Sequence, residues 1–235
     1  MRLTRALGLT LLALTGTSAG AAAQLNSLPV FVSPKGGTGL TLAVDYGRGL
    51  NDASGQNTAW AARATIGLTA LTVGAGIGTV NPQVSFSDRD AELQYMGNAA
   101  LRIFGGPLVP VAVNIHAGLG FLQREVGTGV DRRVYNVPVG VAAALNVPTP
   151  GFSIEPWIAP RFQVTRHEQG GDSDHQTGFG LSAGVNVGFA NGLGIHGAVD
   201  WTDLGAASLV SPGDIADVSP AVLGIGLQYG FRLPG

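Results

Sequence analysis

Apolar and polar side chains alternate with a period of two in ten segments, each about ten residues long. In one of them, Leu40, Leu42 and Val44 share one parity, while Thr41 and Asp45 share the other. Successive side chains of a strand point to opposite faces, so this period predicts strands with one apolar and one polar face. The pattern therefore predicts an all-β fold of about ten strands.

The connections between these segments alternate between long and short. The long ones cover residues 51–57, 81–90, 123–132, 167–176 and 203–218, and the short ones lie around residues 69–70, 105–107, 148–151 and 191–192. Outer-membrane barrels have short periplasmic turns and longer external loops. The alternation thus predicts an antiparallel up-and-down transmembrane β-barrel with both mature termini on the periplasmic side.

Composition favours a barrel that faces lipid. The chain has 12% charged residues and 37 glycines, and its mean hydropathy is +0.28. No apolar run in the chain reaches the roughly 20 residues of a spanning helix. Only helices and closed barrels cross a bilayer. A soluble periplasmic β-sandwich or ligand-binding barrel is the alternative, because its strands alternate in a similar way.

The first 23 residues have the three parts of a cleavable signal peptide. Arg2 and Arg5 provide positive charge, residues 6–14 are apolar, and residues 21–23 are three alanines of the kind that signal peptidase recognises. We expect residues 1–23 to be removed on export, residues 24–37 to form a short periplasmic segment, and residues 38–235 to form the barrel. The expected location is the outer membrane of a Gram-negative cell envelope.

The last predicted strand ends in glycines, alternating apolar residues and aromatic residues. Residues 224–231 read Gly-Ile-Gly-Leu-Gln-Tyr-Gly-Phe. They resemble the C-terminal assembly signal of bacterial outer-membrane barrels, with Gly226, Tyr229 and Phe231 at matching positions. The organisation of residues 38–232 resembles the broad class of small outer-membrane barrels. These resemblances imply insertion by the barrel-assembly machinery into a membrane of lipid and lipopolysaccharide.

Charges on the polar parity are balanced. The acids are Asp45, Glu92, Glu155 and Asp200, and the bases are Arg63, Arg102, Arg161 and Arg232. Buried charges require partners, so we expect these side chains to pair inside the barrel. A barrel of about ten strands leaves only a narrow lumen. The pairs therefore favour a closed structural barrel, and a narrow porin-like pathway is the alternative.

Charge and motif content exclude several other functions. The formal net charge of −2 provides no basic surplus for binding nucleic acid. Gly74, Gly76 and Gly78 begin like a dinucleotide fingerprint, but they keep the period of a strand and no helix pattern follows. With no cysteine in the chain, thiolate chemistry is also excluded. We expect no cofactor, no metal site and no nucleic-acid partner.

Two predicted external loops carry acidic residues: Asp88 and Asp90 lie in one, and Asp172, Asp174 and His175 lie in the other. Omptins, which are ten-stranded outer-membrane proteases, carry an Asp pair opposite an Asp–His couple at the outer rim, and the two loops resemble that arrangement. In omptins one residue separates the couple, whereas adjacent residues such as Asp174 and His175 point apart in an extended chain. We expect solvated loops without enzymatic activity, and an omptin-like protease is the alternative.

Two further features concern the strands themselves. Pro138, Pro156 and Pro160 lie inside predicted strands. Proline cannot donate a hydrogen bond to a neighbouring strand, so bulges or locally unpaired positions are required there.

Aromatic residues are expected to form girdles at the two membrane interfaces; they are Trp60, Tyr95, Tyr135, Trp201, Tyr229 and Phe231.

Overall fold

The computed structural model describes residues 25–34, 36–81, 91–106, 109–125, 131–205 and 219–231. The predicted signal peptide and Arg232 lie outside these residues. The strands are β1 Thr38–Gly49, β2 Thr58–Leu68, β3 Leu71–Asn81, β4 Glu92–Gly106, β5 Val109–Glu125, β6 Asp131–Leu145, β7 Val147–Thr149, β8 Phe152–Gln169, β9 Asp172–Phe189, β10 Leu193–Leu204 and β11 Ala221–Phe231. A short 3-10 helix, Asp52–Ser54, lies between β1 and β2.

A single antiparallel sheet closes on itself. The strands β1 to β6 pair in sequence order, as do β8 to β11, while β1 pairs with β11 and β6 pairs directly with β8. Because β7 continues β6 beyond Asn146 and pairs with β8 in the same register, the barrel has ten strand positions. The predicted ten-stranded antiparallel barrel is confirmed, and the described strands do not form the two packed sheets of a sandwich.

The apolar parity faces outward and the polar parity faces inward on the described strands. On β10, for example, Ile195, Val199 and Trp201 are exposed while His196 and Asp200 are buried. This is the reverse of a soluble barrel, whose apolar side chains are buried. It is the arrangement of a barrel that is surrounded by lipid. Among the described residues, no helix is both long and apolar enough to cross a bilayer.

Aromatic residues mark both edges of the apolar surface on β8 and β9. Phe152 pairs with Phe189 near the short turns, and Phe162 pairs with Phe179 toward the other end. On each strand the two phenylalanines are ten residues apart, which matches the roughly 9–11 residues of a tilted transmembrane strand. We take these two levels as the interfaces of the membrane-spanning band.

One end of the barrel carries short turns and the other carries longer connections. Thr69 and Ala70 form a short turn, whereas residues 50–57 form a longer connection at the opposite end. The predicted loop over residues 167–176 is wrong, because β8 and β9 extend to a turn of Gly170 and Gly171. Both glycines have positive φ, which permits this tight connection. The polar composition that indicated a loop belongs to strands that extend beyond the Phe162–Phe179 level.

The three prolines inside strands interrupt pairing without changing its register. Pairing between β5 and β6 is broken at Pro138, and pairing between β6 and β8 is broken at Pro156 and Pro160. The register is the same on both sides of each break, so these are locally unpaired positions and not bulges. In the described ladders, the register shifts lie between β4 and β5, around Phe104.

Candidate functional site in the barrel lumen

Buried polar side chains from most of the strands line the lumen. They include Thr41, Asp45, Arg63, Thr65, Gln94, Asn114, His116, Asn136, Glu155, Arg161, Gln163, Thr165, Ser182, Asn186, His196, Asp200, Thr202 and Gln228. A group this polar is stable away from water only when its members bond to one another. The pattern of those bonds defines the candidate site.

Asp45 and Arg63 form the first buried ion pair. Arg63 donates to both carboxylate oxygens of Asp45, with Nη2 3.0 Å from Oδ1. His196 Nε2 on β10 lies 2.7 Å from the same Oδ1. His196 reaches Asp45 across β11, over Gly226, which pairs with both residues. A Cβ at position 226 would lie 2.3 Å from His196 Nε2, so this contact requires a glycine.

Arg161 and Asp200 form the second buried ion pair, with 2.8 Å between Nη2 and Oδ1. Arg161 on β8 reaches across β9 to β10, and a Cβ at its register partner Gly180 would lie 2.4 Å from Arg161 Cζ. Arg161 also donates to Ser182 Oγ at 2.8 Å and to Thr202 Oγ1 at 2.7 Å. These bonds satisfy a guanidinium that is removed from water.

The other predicted charged residues lie elsewhere along the lumen. Glu155 accepts hydrogen bonds from Ser33 Oγ at 2.7 Å and from Asn186 Nδ2 at 3.0 Å. Glu92 and Arg102 are half-buried toward opposite ends of β4. Arg232 lies outside the described residues. The structure thus brings together Asp45 with Arg63 and Asp200 with Arg161, while Ser33 and Asn186 are among the partners of Glu155.

Residues 25–34, here named the plug segment, lie inside the barrel. Leu28, Val30, Phe31 and Val32 are at most 4% exposed. This corrects the predicted periplasmic position of residues 24–37, because residues 25–34 occupy the lumen. The segment has no charged residue, and its apolar side chains gain by leaving water. A charge-free, apolar stretch before the first strand was the one sequence signal that could have indicated this position.

Phe31 connects the plug segment to the first ion pair. Its ring meets the His196 ring edge-on at 4.6 Å between centroids. The Arg63 guanidinium carbon lies 5.1 Å from the Phe31 ring centroid, which is within the range of a cation–π interaction. The plug segment therefore contacts the charged wall through an aromatic face as well as through apolar packing.

A polar vestibule of about 300 Å³ opens at the end of the barrel with the longer connections. Asn26 and Ser27 of the plug segment form part of its lining, together with Arg132, His167 and Gln176. His167 Nε2 lies 2.9 Å from Gln176 Oε1, and Arg132 Nη2 lies 3.3 Å from His167 Nδ1. The vestibule reaches inward to the plug segment.

Some buried polar atoms in the lumen have no hydrogen-bond partner among the described residues. They include Asn98 Oδ1, Asn114 Oδ1 and both ring nitrogens of His116. His116 thus differs from the other buried lumen histidine, His196, whose Nε2 contacts Asp45. In the described part of the chain, no three His, Cys, Asp or Glu side chains converge as a metal site requires.

The predicted protease-like residues at the outer rim do not come together in the described structure. Asp174 is half-buried and the adjacent His175 is exposed, so their side chains point to opposite faces of β9. Asp174 Oδ1 instead accepts a hydrogen bond from the His175 backbone N–H at 2.7 Å. Asp172 is exposed at the hairpin end, and Asp88 and Asp90 lie outside the described residues.

Comparison with known proteins finds similarity only at the level of the fold. No protein-family model matches the chain, and no curated protein matches it. Among solved structures, the chain is similar to the beta domain of the Bordetella autotransporter BrkA, with 9% identity, a TM-score of 0.49, and coverage of 83% of this chain and 100% of that one. It is also similar to Neisserial surface protein A, with 14% identity, a TM-score of 0.38, and coverage of 83% and 98%. A third similar structure is the outer membrane protease OmpT from Escherichia coli, with 8% identity, a TM-score of 0.38, and coverage of 83% of this chain and 94% of that one.

Proposed function

We propose that this chain is a structural protein of the bacterial outer membrane, with a lumen that is closed to solutes. The observation that carries the proposal is the filled lumen. Two hydrogen-bonded ion pairs are buried in it, and the plug segment packs against both through Phe31 and Val30. Narrow-pore function is less well supported, since the apolar residues of the plug segment occupy the space that a pathway for solutes needs.

The proposed partners follow from the outer surface and from the resemblance of the last strand. Lipid would contact the apolar band between the two phenylalanine levels, and lipopolysaccharide would contact the end with the longer connections. Arg133 and Arg166 are exposed there, where they could meet anionic groups. Insertion would depend on the barrel-assembly machinery, with Gly226, Tyr229 and Phe231 of β11 as the proposed signal.

Cell fractionation tests the proposed location. The full-length chain, expressed in a Gram-negative host, should fractionate with the outer membrane and stay there on carbonate extraction, because its apolar band is solvated by lipid. N-terminal sequencing of this material should begin at Gln24 if the signal peptide is removed as proposed. Recovery in the soluble periplasm would contradict the proposed location.

We also propose that the protein has no protease activity. Catalysis of the omptin type needs an Asp–His couple within hydrogen-bond reach of one water, and the side chains of Asp174 and His175 point apart. The refolded protein, supplied with lipopolysaccharide, should leave a library of basic peptides intact. Cleavage that His175→Ala abolishes, while Ser173→Ala retains it, would establish the omptin-like alternative.

A further inference from the structure

The wall of the lumen recognises the backbone of the plug segment. The Val30 N–H donates to Asp200 Oδ2 at 3.2 Å, and Asn186 Nδ2 donates to the Val32 carbonyl at 3.1 Å. Gln94 Oε1 accepts from the Asn26 N–H at 2.9 Å, and Gln94 Nε2 donates to the Asn26 carbonyl at 3.2 Å. Residues from β4, β9 and β10 thus bond to the peptide groups of a segment that pairs with no strand.

A pair of glycines gives the wall a groove for the same segment. Gly47 on β1 and Gly224 on β11 are register partners, and both face the lumen. A Cβ at Gly47 would lie 2.1 Å from the Ser27 carbonyl oxygen, and one at Gly224 would lie 2.5 Å from Pro29 Cδ. Real Cβ contacts are never this close, so any larger residue at either position would displace the plug segment or the wall.

We propose that the lumen is a binding site for an uncharged, proline-containing apolar peptide, and that residues 25–34 are its resident ligand. This inference rests on the proposed closed lumen. It adds that the plug segment, which closes the lumen, can be separated from the barrel. Only the three residues 35–37 separate the plug segment from β1 in the sequence. The wall left behind would carry Asp200, Asn186 and Gln94, and these polar groups are compatible with a water-filled lumen.

The first test places a side chain in the groove of the full-length protein. Gly47→Val should displace the plug segment and produce steady channels in planar bilayers. Gly97→Val is the matched control, because Gly97 faces outward and a Cβ there meets nothing within 4 Å. It should remain as closed as the wild type. A folded Gly47→Val barrel that stays closed would overturn the proposal.

The second test separates the ligand from the wall. Val30→Asp should open the lumen, because it buries a carboxylate beside Asp200, while the wall stays intact. A synthetic peptide with the sequence of residues 25–34 should then close these channels, and the same peptide with Asp in place of valine at position 30 should not. Channels that ignore the wild-type peptide would refute a peptide-binding site. Steady channels from the wild-type protein would instead contradict the proposed closed barrel.

A third measurement does not depend on conductance. Asn136 Nδ2 lies 3.3 Å from Asn26 Oδ1, and the chain has no cysteine. The double variant Asn26→Cys/Asn136→Cys should react with a fluorogenic bifunctional thiol reagent that becomes fluorescent only when both ends react. Asn26→Cys/Val137→Cys is the control, since Val137 faces outward. Equal reaction of the two variants, or none in the first, would place the plug segment elsewhere.

Discussion

At the residue scale, glycines in the lumen leave room for side chains that bond across a whole strand. His196 reaches Asp45 over Gly226, and Arg161 reaches Asp200 over Gly180. A methyl group on either glycine would occupy the space of the bonded side chain. Gly226 was predicted as part of an assembly signal, and the structure gives it a packing role as well.

Gly226→Ala tests that packing role in the absence of assembly machinery. In vesicles of defined lipid, the variant should lose about 1–3 kcal/mol of unfolding free energy, the usual cost of overpacking. His196→Ala in the same chain should reduce the additional cost of the alanine, because the imidazole is the group displaced. Denaturant unfolding followed by tryptophan fluorescence measures both effects. A Gly226→Ala variant that refolds with wild-type stability would contradict the packing role of Gly226.

Buried and exposed ion pairs on β8 offer a second comparison. Arg161→Ala leaves Asp200 buried without its cation, and breaking a buried pair costs about 3–5 kcal/mol. Arg166 pairs with Glu168 at 2.8 Å, but its side chain is 48% exposed, so Arg166→Ala should cost about 0–1 kcal/mol. The same unfolding experiment compares them. Equal losses would mean that water reaches the Arg161 side chain.

At the element scale, the period of two predicted the strands and the faces because both follow from local geometry. A strand exposes alternate residues whatever its partners are, so Leu42 outward and Asp45 inward could be read from the sequence. The hairpin at Gly170 and Gly171 could not be predicted from the sequence, because polar residues are equally compatible with a loop and with a strand that lies in water. The plug segment was also missed. Its position depends on bonds to distant residues such as Asp200, and it has no strand period.

An arginine scan along β9 tests the membrane band. Val185 faces outward between the levels of Phe179 and Phe189, so Val185→Arg should cost about 2–4 kcal/mol, as expected for a charge at mid-membrane depth. Thr177 faces outward on the same strand but beyond the Phe179 level, and Thr177→Arg should cost about 0–1 kcal/mol. Unfolding in vesicles gives both values. Equal costs would show that the phenylalanines do not mark the membrane interface.

At the scale of the whole molecule, the barrel combines an apolar exterior with an interior that is largely filled. The strands alone could enclose a narrow polar lumen, and the charge balance predicted pairing across it. What the sequence left open was whether those pairs suffice to close the barrel. In the structure they share the lumen with the plug segment, which packs on Arg63 through Phe31 and bonds to Asp200 through the Val30 N–H.

Single-channel recording of the intact wild-type protein in planar bilayers tests the central claim most directly. Insertion is verified on the same sample by its resistance to protease. We predict that the inserted protein gives no steady channels at any applied voltage the bilayer tolerates, because ion pairs and the plug segment fill the lumen. Large, steady wild-type channels would contradict the closed barrel and establish a porin-like pore instead.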